Sequence, residues 1–183
     1  MSDDKLHFRA LTTANLRDFA AFRRSCEALA TCSCMRWRMT STAFFQSTKK
    51  DRARAFDSRV TAGAPVGILA YVEGVPVGWC SIAPRHSFAG LSSSEADADA
   101  RLWCVTCLYV SPGSRGTGIG LRLLRAAVQY ARAEGAHVIE GYPAEPRNRS
   151  LPEAGSASMF RQAGFRDAPS AGARWHVMRN VVG

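Results

Sequence analysis

Tyr109–Ala131 reads YVSPGSRGTGIGLRLLRAAVQYA, and its reading decides the fold. Directly after Arg115, the glycines Gly116, Gly118 and Gly120 alternate with Thr117 and Ile119. Without Cβ atoms, they let a bulky anion approach the backbone. Behind them the spacing predicts a helix over Leu121–Gly135. Leu124, Ala127, Val128 and Ala131 line one side of it, and Arg122, Arg125, Gln129 and Arg132 the other. A helix that begins on such a turn aims its first free N–H groups, and the positive end of its dipole, back at the turn, which suits phosphate. Upstream, Leu102–Val110 (LWCVTCLYV) is a near-continuous apolar run, as in a central strand covered on both faces. Downstream, Ala136–Tyr142 reads as another strand. The unit is therefore strand, glycine turn, helix, strand. It is not a P-loop, because no Gly-Lys-Ser/Thr closes it, and its Arg-x-x-Gly-x-Gly spacing is not that of a dinucleotide fold.

The flanking sequence supplies the other elements. Leu6–Leu11 reads as a first strand, and Thr12 or Thr13 offers an N-cap. Leu16, Phe19, Cys26 and Leu29 recur at helical spacing, which predicts one helix over Asn15–Leu29. TCSCMRWRM (Thr31–Met39) reads either as a pocket border or as a partly buried connector. A second helix falls between Phe44 and Val60. Val66–Val72 and Val75–Ile82, joined by Glu73-Gly74, read as a β-hairpin, with Trp79 and Trp103 as core residues. Ser92–Ala100 is small and acidic and reads as a mobile surface loop. Arg147–Ser156 reads as loop, Ser156–Ala163 as a short helix ended by Gly164, and Phe165–Arg166 and Arg174–Val182 as the last strands. No internal repeat is visible, and residues 1–183 are expected to form a single domain.

Composition narrows the class. The chain has 183 residues, with 46% hydrophobic and 21% charged residues, values ordinary for a globular protein. No apolar run approaches the roughly 20 residues that span a bilayer. The opening MSDDKLHFRA lacks the regions of a signal peptide, so a cytoplasmic location is expected. A net charge of +9 and a pI near 9.8 favour anionic partners: nucleic acid, a phosphate-rich cofactor or an acidic substrate. The arginines are scattered, so charge points only weakly to nucleic acid. The six cysteines read as thiols. Cys104 and Cys107 form a CxxC pair, but residues three apart on a regular strand face opposite sides and cannot grip one ion, so no metal is expected.

YVSPGSRGTGIGLRLLRAAVQYA resembles the acetyl-CoA motif of the GNAT superfamily of N-acetyltransferases. SMFRQAGF (Ser158–Phe165) resembles that family's second motif, a short helix ending in Gly-Phe. The element order matches over nearly the whole chain, and CSCMRW, GWCSIAPR and EGYP resemble phrases of a bacterial branch of the superfamily. The resemblance implies an α/β (α+β) GNAT fold: a central mixed, mostly antiparallel twisted sheet with two splayed parallel strands, Leu102–Val110 and Ala136–Tyr142, flanked by helices. It also implies acetyl-CoA as co-substrate. The backbone amides of Arg115, Gly116, Thr117, Gly118, Ile119 and Gly120 would hold its pyrophosphate. The backbone of Leu108, Tyr109 and Val110 would pair with the pantetheine arm like an added strand. An amide near Leu108 would stabilise the oxyanion.

Acetyl transfer to an amine needs a group that removes a proton. Glu140, on the strand flanking the cleft, is the candidate base; pairing with an arginine is the structural alternative. His137 ranks below it, since strand alternation turns it away from Glu140's side. Relatives carry a Tyr four residues before the Gly of Gly-Phe, where it protonates the departing thiolate. Here that position is Phe160, so Tyr142, Ser156, Ser158 or water would have to serve. Arg85 reads either as a contact for an acidic acceptor or as an exposed, unpartnered arginine. The expected acceptor is a small-molecule amine. A protein amine or aminoacyl-tRNA, or a non-catalytic acyl-CoA sensor, are the alternatives. A homodimer would fit the habits of the family.

Overall fold

The computed structural model describes residues 6–91, 101–144, 155–168 and 176–183. They build one seven-stranded sheet in the order β1-β2-β3-β4-β5-β7-β6. The strands are β1 (Leu6–Ala10), β2 (Ile68–Val72), β3 (Val75–Pro84), β4 (Leu102–Val110), β5 (Val138–Gly141), β6 (Arg166–Asp167) and β7 (Met178–Val181). Neighbours pair antiparallel except β4 and β5, which run parallel. The mixed, mostly antiparallel sheet is thus the one expected. The β2–β3 hairpin turns on Glu73 (φ 51°) and Gly74 (φ 79°), two residues in the left-handed region, as a two-residue hairpin loop requires. Among the described residues, no helix is long and apolar enough to cross a membrane. The loop expected over Ser92–Ala100 lies entirely outside the described residues, as does most of Arg147–Ser156.

Two helices were expected before the hairpin, and there are four. α1 (Leu16–Arg24) and α2 (Glu27–Cys32) replace the single helix over Asn15–Leu29. The break is local: the Ser25 hydroxyl donates to the Phe22 carbonyl at 2.8 Å, and Cys26 turns extended (φ −124°, ψ 115°) as the N-cap of α2. Phe19 and Leu29 are both buried, so apolar spacing runs straight across the break. Likewise α3 (Ser41–Gln46) and α4 (Lys49–Thr61) replace the second helix. Thr48 caps α4, its hydroxyl accepting from the Asp51 amide while the Asp51 carboxylate accepts from the Thr48 amide.

α5 (Ile119–Ala133) begins inside the glycine motif, two residues before the expected start, and α6 (Ala157–Gln162) follows the fork formed by β4 and β5. The helices form two layers. α5 and α6 cover one face of the sheet, where Ile82, Trp103, Val105, Leu108, Leu124, Ala127, Ile139 and Phe160 share a core. α1, α2 and α4 cover the other with Phe19, Leu29, Phe56, Trp79 and Tyr109. On this second face, Trp37 and Phe88 pack with Ala83, Cys104 and Tyr142 nearer β5. Trp79 and Trp103 are core residues, as expected.

Candidate active site at the fork of two parallel strands

β4 and β5 pair only from Leu102↔Val138 to Val105↔Gly141. Beyond Val105 the register with β5 stops, and among the described residues Thr106–Val110 have no strand partner on that side. On the other side β4 stays paired to β3 as far as Val110↔Gly78. Free backbone on one edge, with a rigid strand behind it, is what strand addition by an extended ligand requires.

The register between β3 and β4 slips at the same place. Ser81 faces Cys107 and Ile82 faces Val105, so Thr106 is an extra residue, a β-bulge. The slip corrects one expectation. Cys104 packs with the Trp37–Tyr142 cluster, and Cys107 packs against the α1–α4 core, so both lie on the same face of the sheet. The bulge absorbs the half-step that would have turned them apart. Even so, no group of three or more His, Cys, Asp or Glu suited to a metal occurs among the described residues.

The glycine turn lies at the end of the free edge. Gly116 (φ 76°) and Gly118 (φ 79°) sit in the left-handed region, and a Cβ on either would meet nothing within 4 Å. The turn is therefore open on the side where their side chains would stand. Gly118 caps α5 without any side-chain hydrogen bond, which leaves the first N–H groups of the helix available to an anion. Arg115 folds back along the strand end, its Nε donating to the Val110 carbonyl at 2.9 Å and its guanidinium lying 5.4 Å from the Tyr109 ring centre. The Thr117 hydroxyl donates to the Ser114 carbonyl at 2.7 Å. The strand end at Leu108, Tyr109 and Val110 is thus followed closely in the chain by the turn Arg115–Gly120, and the Arg115 side chain ties the two together.

Glu140 stands at the root of the fork, opposite Cys104 in register and buried on the α1–α4 face. Its oxygens are engaged. Oε2 accepts from the Tyr142 hydroxyl at 2.7 Å, and Oε1 accepts from Arg179 Nε at 2.9 Å. Arg179 Nη2 completes the ion pair at 2.8 Å. Burial, chiefly, raises the Tyr142 hydroxyl pKa above its ordinary value, with the nearby Cys104 and Glu140 adding to the effect. Trp37 stacks on Tyr142 with ring centres 6.3 Å apart. His137 is exposed and precedes β5. Arg85 is not the exposed arginine of one expectation: it is 5% exposed, and its charge acts on Tyr142.

Phe160 is fully buried, edge-on to Phe165 with ring centres 5.0 Å apart. A Cβ on Gly141 would lie 2.2 Å from its ring, so the ring rests directly on β5. Ser156 caps α6, accepting from the Met159 amide at 3.2 Å, and the Ser158 hydroxyl accepts from Gln162 at 3.4 Å. A groove of about 600 Å³ lined by Arg125, Gln129, Arg132 and Asn180 lies along the outside of α5, and none of the candidate residues borders it.

Sequence reasoning passed over three participants: Arg38, Ser81 and Thr106. Arg38 Nη2 donates to the Val66 carbonyl at 2.8 Å and to Ser81 Oγ at 3.1 Å, and Thr106 Oγ1 donates to Ser81 Oγ at 3.2 Å. CSCMRW marked the segment, but nothing in it signals that Arg38 is only 2% exposed. Nearby, Trp79 Nε1 donates to Cys34 Sγ at 3.0 Å, and Cys107 also bonds Cys34; these bonds, with Arg38 close by, pull the buried Cys34 thiol down from its ordinary range.

A fork between parallel strands, with an open glycine turn at its mouth and a buried polar cluster at its root, defines a fold that receives an extended anionic ligand across a sheet edge. The comparisons place it. The family model described as "Acetyltransferase (GNAT) family" matches residues 21–165, and the chain belongs to that family. Two curated relatives, the L-methionine sulfoximine/L-methionine sulfone acetyltransferases of Pseudomonas aeruginosa and Pseudomonas paraeruginosa, are 29% identical over 102 residues. The match spans about half the length of this chain and of those relatives, 54% of each. Among solved structures, a putative acetyltransferase of Salmonella typhimurium, yncA, with its cofactor acetyl-CoA superposes with a TM-score of 0.60 at 19% identity, covering 98% of this chain and 95% of that one. The aminoglycoside acetyltransferase AAC(6')-Ib, in complex with paromomycin and acetyl-CoA, reaches 0.63 at 18% identity, covering 97% and 94%.

Proposed function

We propose that this protein moves an acetyl group from acetyl-CoA to the primary amine of a small molecule, the amine attacking the thioester directly. One observation carries the reading: the free edge of β4 runs straight into an uncapped glycine turn. The amides of Arg115, Gly116, Thr117, Gly118, Ile119 and Gly120 would hold the pyrophosphate, and the backbone of Leu108, Tyr109 and Val110 would align the pantetheine arm. Bound acetyl-CoA supplies an activated acyl carbon. An amide near Leu108 would meet the negative charge that gathers on its oxygen. The new C–N bond forms as the C–S bond breaks, the sulfur leaves with its electron pair, and the amine gives up a proton. That proton is assigned to Glu140, directly or through the Tyr142 hydroxyl already bonded to it. Phe160 offers no proton, so the sulfur leaves as thiolate or takes one from water. The enclosed face beneath Trp37 and Phe88, together with the small amino-acid analogues named for the Pseudomonas relatives, favours a small acceptor over a macromolecule.

Acetyl-CoA titrated by calorimetry into wild type and Gly118→Asp tests the reading. Asp tolerates the left-handed conformation, and the space around Gly118 is open, so the variant should fold. Its carboxylate should repel the pyrophosphate and weaken binding about 100-fold or more. Equal affinities would remove the assignment of the turn. No affinity in wild type would remove the enzyme reading.

A further inference from the structure

Arg38 is 2% exposed, yet two of its three guanidinium nitrogens, Nε and Nη1, have no hydrogen-bond partner among the described residues. A guanidinium carries five N–H donors. Nη2 spends its pair on the Val66 carbonyl and Ser81 Oγ. Phe88 stacks beneath the plane at 4.4 Å. The remaining donors, on Nε and Nη1, are buried with it. Burial pulls the Arg38 pKa down to about 10, so the group is still a cation at neutral pH. No carboxylate bonds it among the described residues. The Cys34 sulfur bears on it electrostatically, but makes no bond to Nε or Nη1.

A buried cation with idle donors is costly unless something satisfies it, because each donor has given up its water without a replacement partner. Its place in the fold indicates what that is. Ser81 is shared by Arg38 and Thr106, and Thr106 is the bulge where β4 parts from β5. Arg38 is therefore two hydrogen bonds from the fork, on the face that holds Glu140 and Tyr142 and opposite the face covered by α5. We propose that Arg38, positioned by Ser81, is the anchor for a carboxylate on the acceptor, and that the acceptor is an amino acid: an amine to reach the thioester and a carboxylate to reach Arg38. An arginine matches a carboxylate in both charge and planar donor geometry. The proposal rests on the acetyltransferase reading and extends it to the class of acceptor.

The test titrates the full chain, saturated with CoA, with N-acetyl derivatives of alanine, β-alanine and γ-aminobutyrate, and with the primary amide of each. Calorimetry gives the affinities, and heteronuclear NMR follows the arginine Nε–H signals; Arg38→Lys assigns the Arg38 signal by its loss. At least one acid should bind roughly tenfold or more tightly than its amide and move the Arg38 signal. Folded Arg38→Lys, with CoA affinity unchanged, should lose that preference. If the variant fails to fold, the wild-type acid-to-amide ratio and the wild-type signals that move, matched to arginine by residue-selective labelling, still decide. Acids and amides binding alike, or an unmoved Arg38 signal, would overturn the carboxylate anchor and leave the acetyl-CoA reading standing. Failure to bind CoA at all would bring down both.

Discussion

Glu140 holds Tyr142 on one oxygen and Arg179 on the other, so the residue with the strongest claim to proton transfer is also a structural hub. The two roles separate on substitution. Glu140→Gln keeps the shape and weakens the ion pair; because the Arg179 side chain is 46% exposed, that loss should cost only about 1 kcal/mol. If Glu140 takes the amine proton, kcat should fall by roughly 100-fold or more. A fall in Tm with kcat unchanged would make Glu140 only the partner of Arg179. The sequence offered Glu140 readily, as a lone carboxylate on an apolar strand. It did not show Arg179, because the contact depends on the β5–β7 register that sets Glu140 beside Arg179.

At the scale of elements, β5 and α6 meet in a close joint. A methyl at Gly141 would lie 2.2 Å from the Phe160 ring, and the ring is fully buried. Gly141→Ala should therefore lower stability by about 1–3 kcal/mol in chemical denaturation. Combined with Phe160→Leu, whose smaller side chain leaves room, the loss should be less than the sum of the two single effects. Thr48→Ala should cost about 1 kcal/mol by removing the α4 cap, again read by denaturation. Elements with a strong local signature were legible: the hairpin with its Glu73-Gly74 turn, the glycine motif and α5. The break at Ser25–Cys26 was not, because apolar spacing carries across it; at Ser47–Thr48 no apolar residue lies between Phe45 and Ala53, and the Thr48/Asp51 pair was the available sign. The Thr106 bulge leaves no mark in composition. It shows only when β3 and β4 are set side by side.

For the whole molecule, a net charge of +9 should draw in a polyphosphate ligand. Raising ionic strength from about 0.01 to 0.1 M, which shortens the screening length from about 30 to 10 Å, should slow acetyl-CoA association measured by stopped flow while leaving dissociation nearly constant. A salt-insensitive association rate would mean that the charge is spread too evenly to steer. The order of the strands, and the places of α5 and α6 among them, were readable in the sequence; the polar residues of the face that holds Glu140 were not, since Arg38, Ser81 and Thr106 come from three separate segments and meet only in the folded sheet. Read as a frame, β4 shifts once, at Thr106. Before it, Cys104 points to the face that holds Glu140 and Tyr142, and Val105 to α5; after it, Cys107 and Tyr109 take the first side and Leu108 the second. Deleting Thr106 would restore a single frame and leave these linings in place, whereas drawing Thr106 into regular step would turn Cys107, Leu108 and Tyr109 each to the opposite side. The one extra residue is what lets a strand of this length keep both linings.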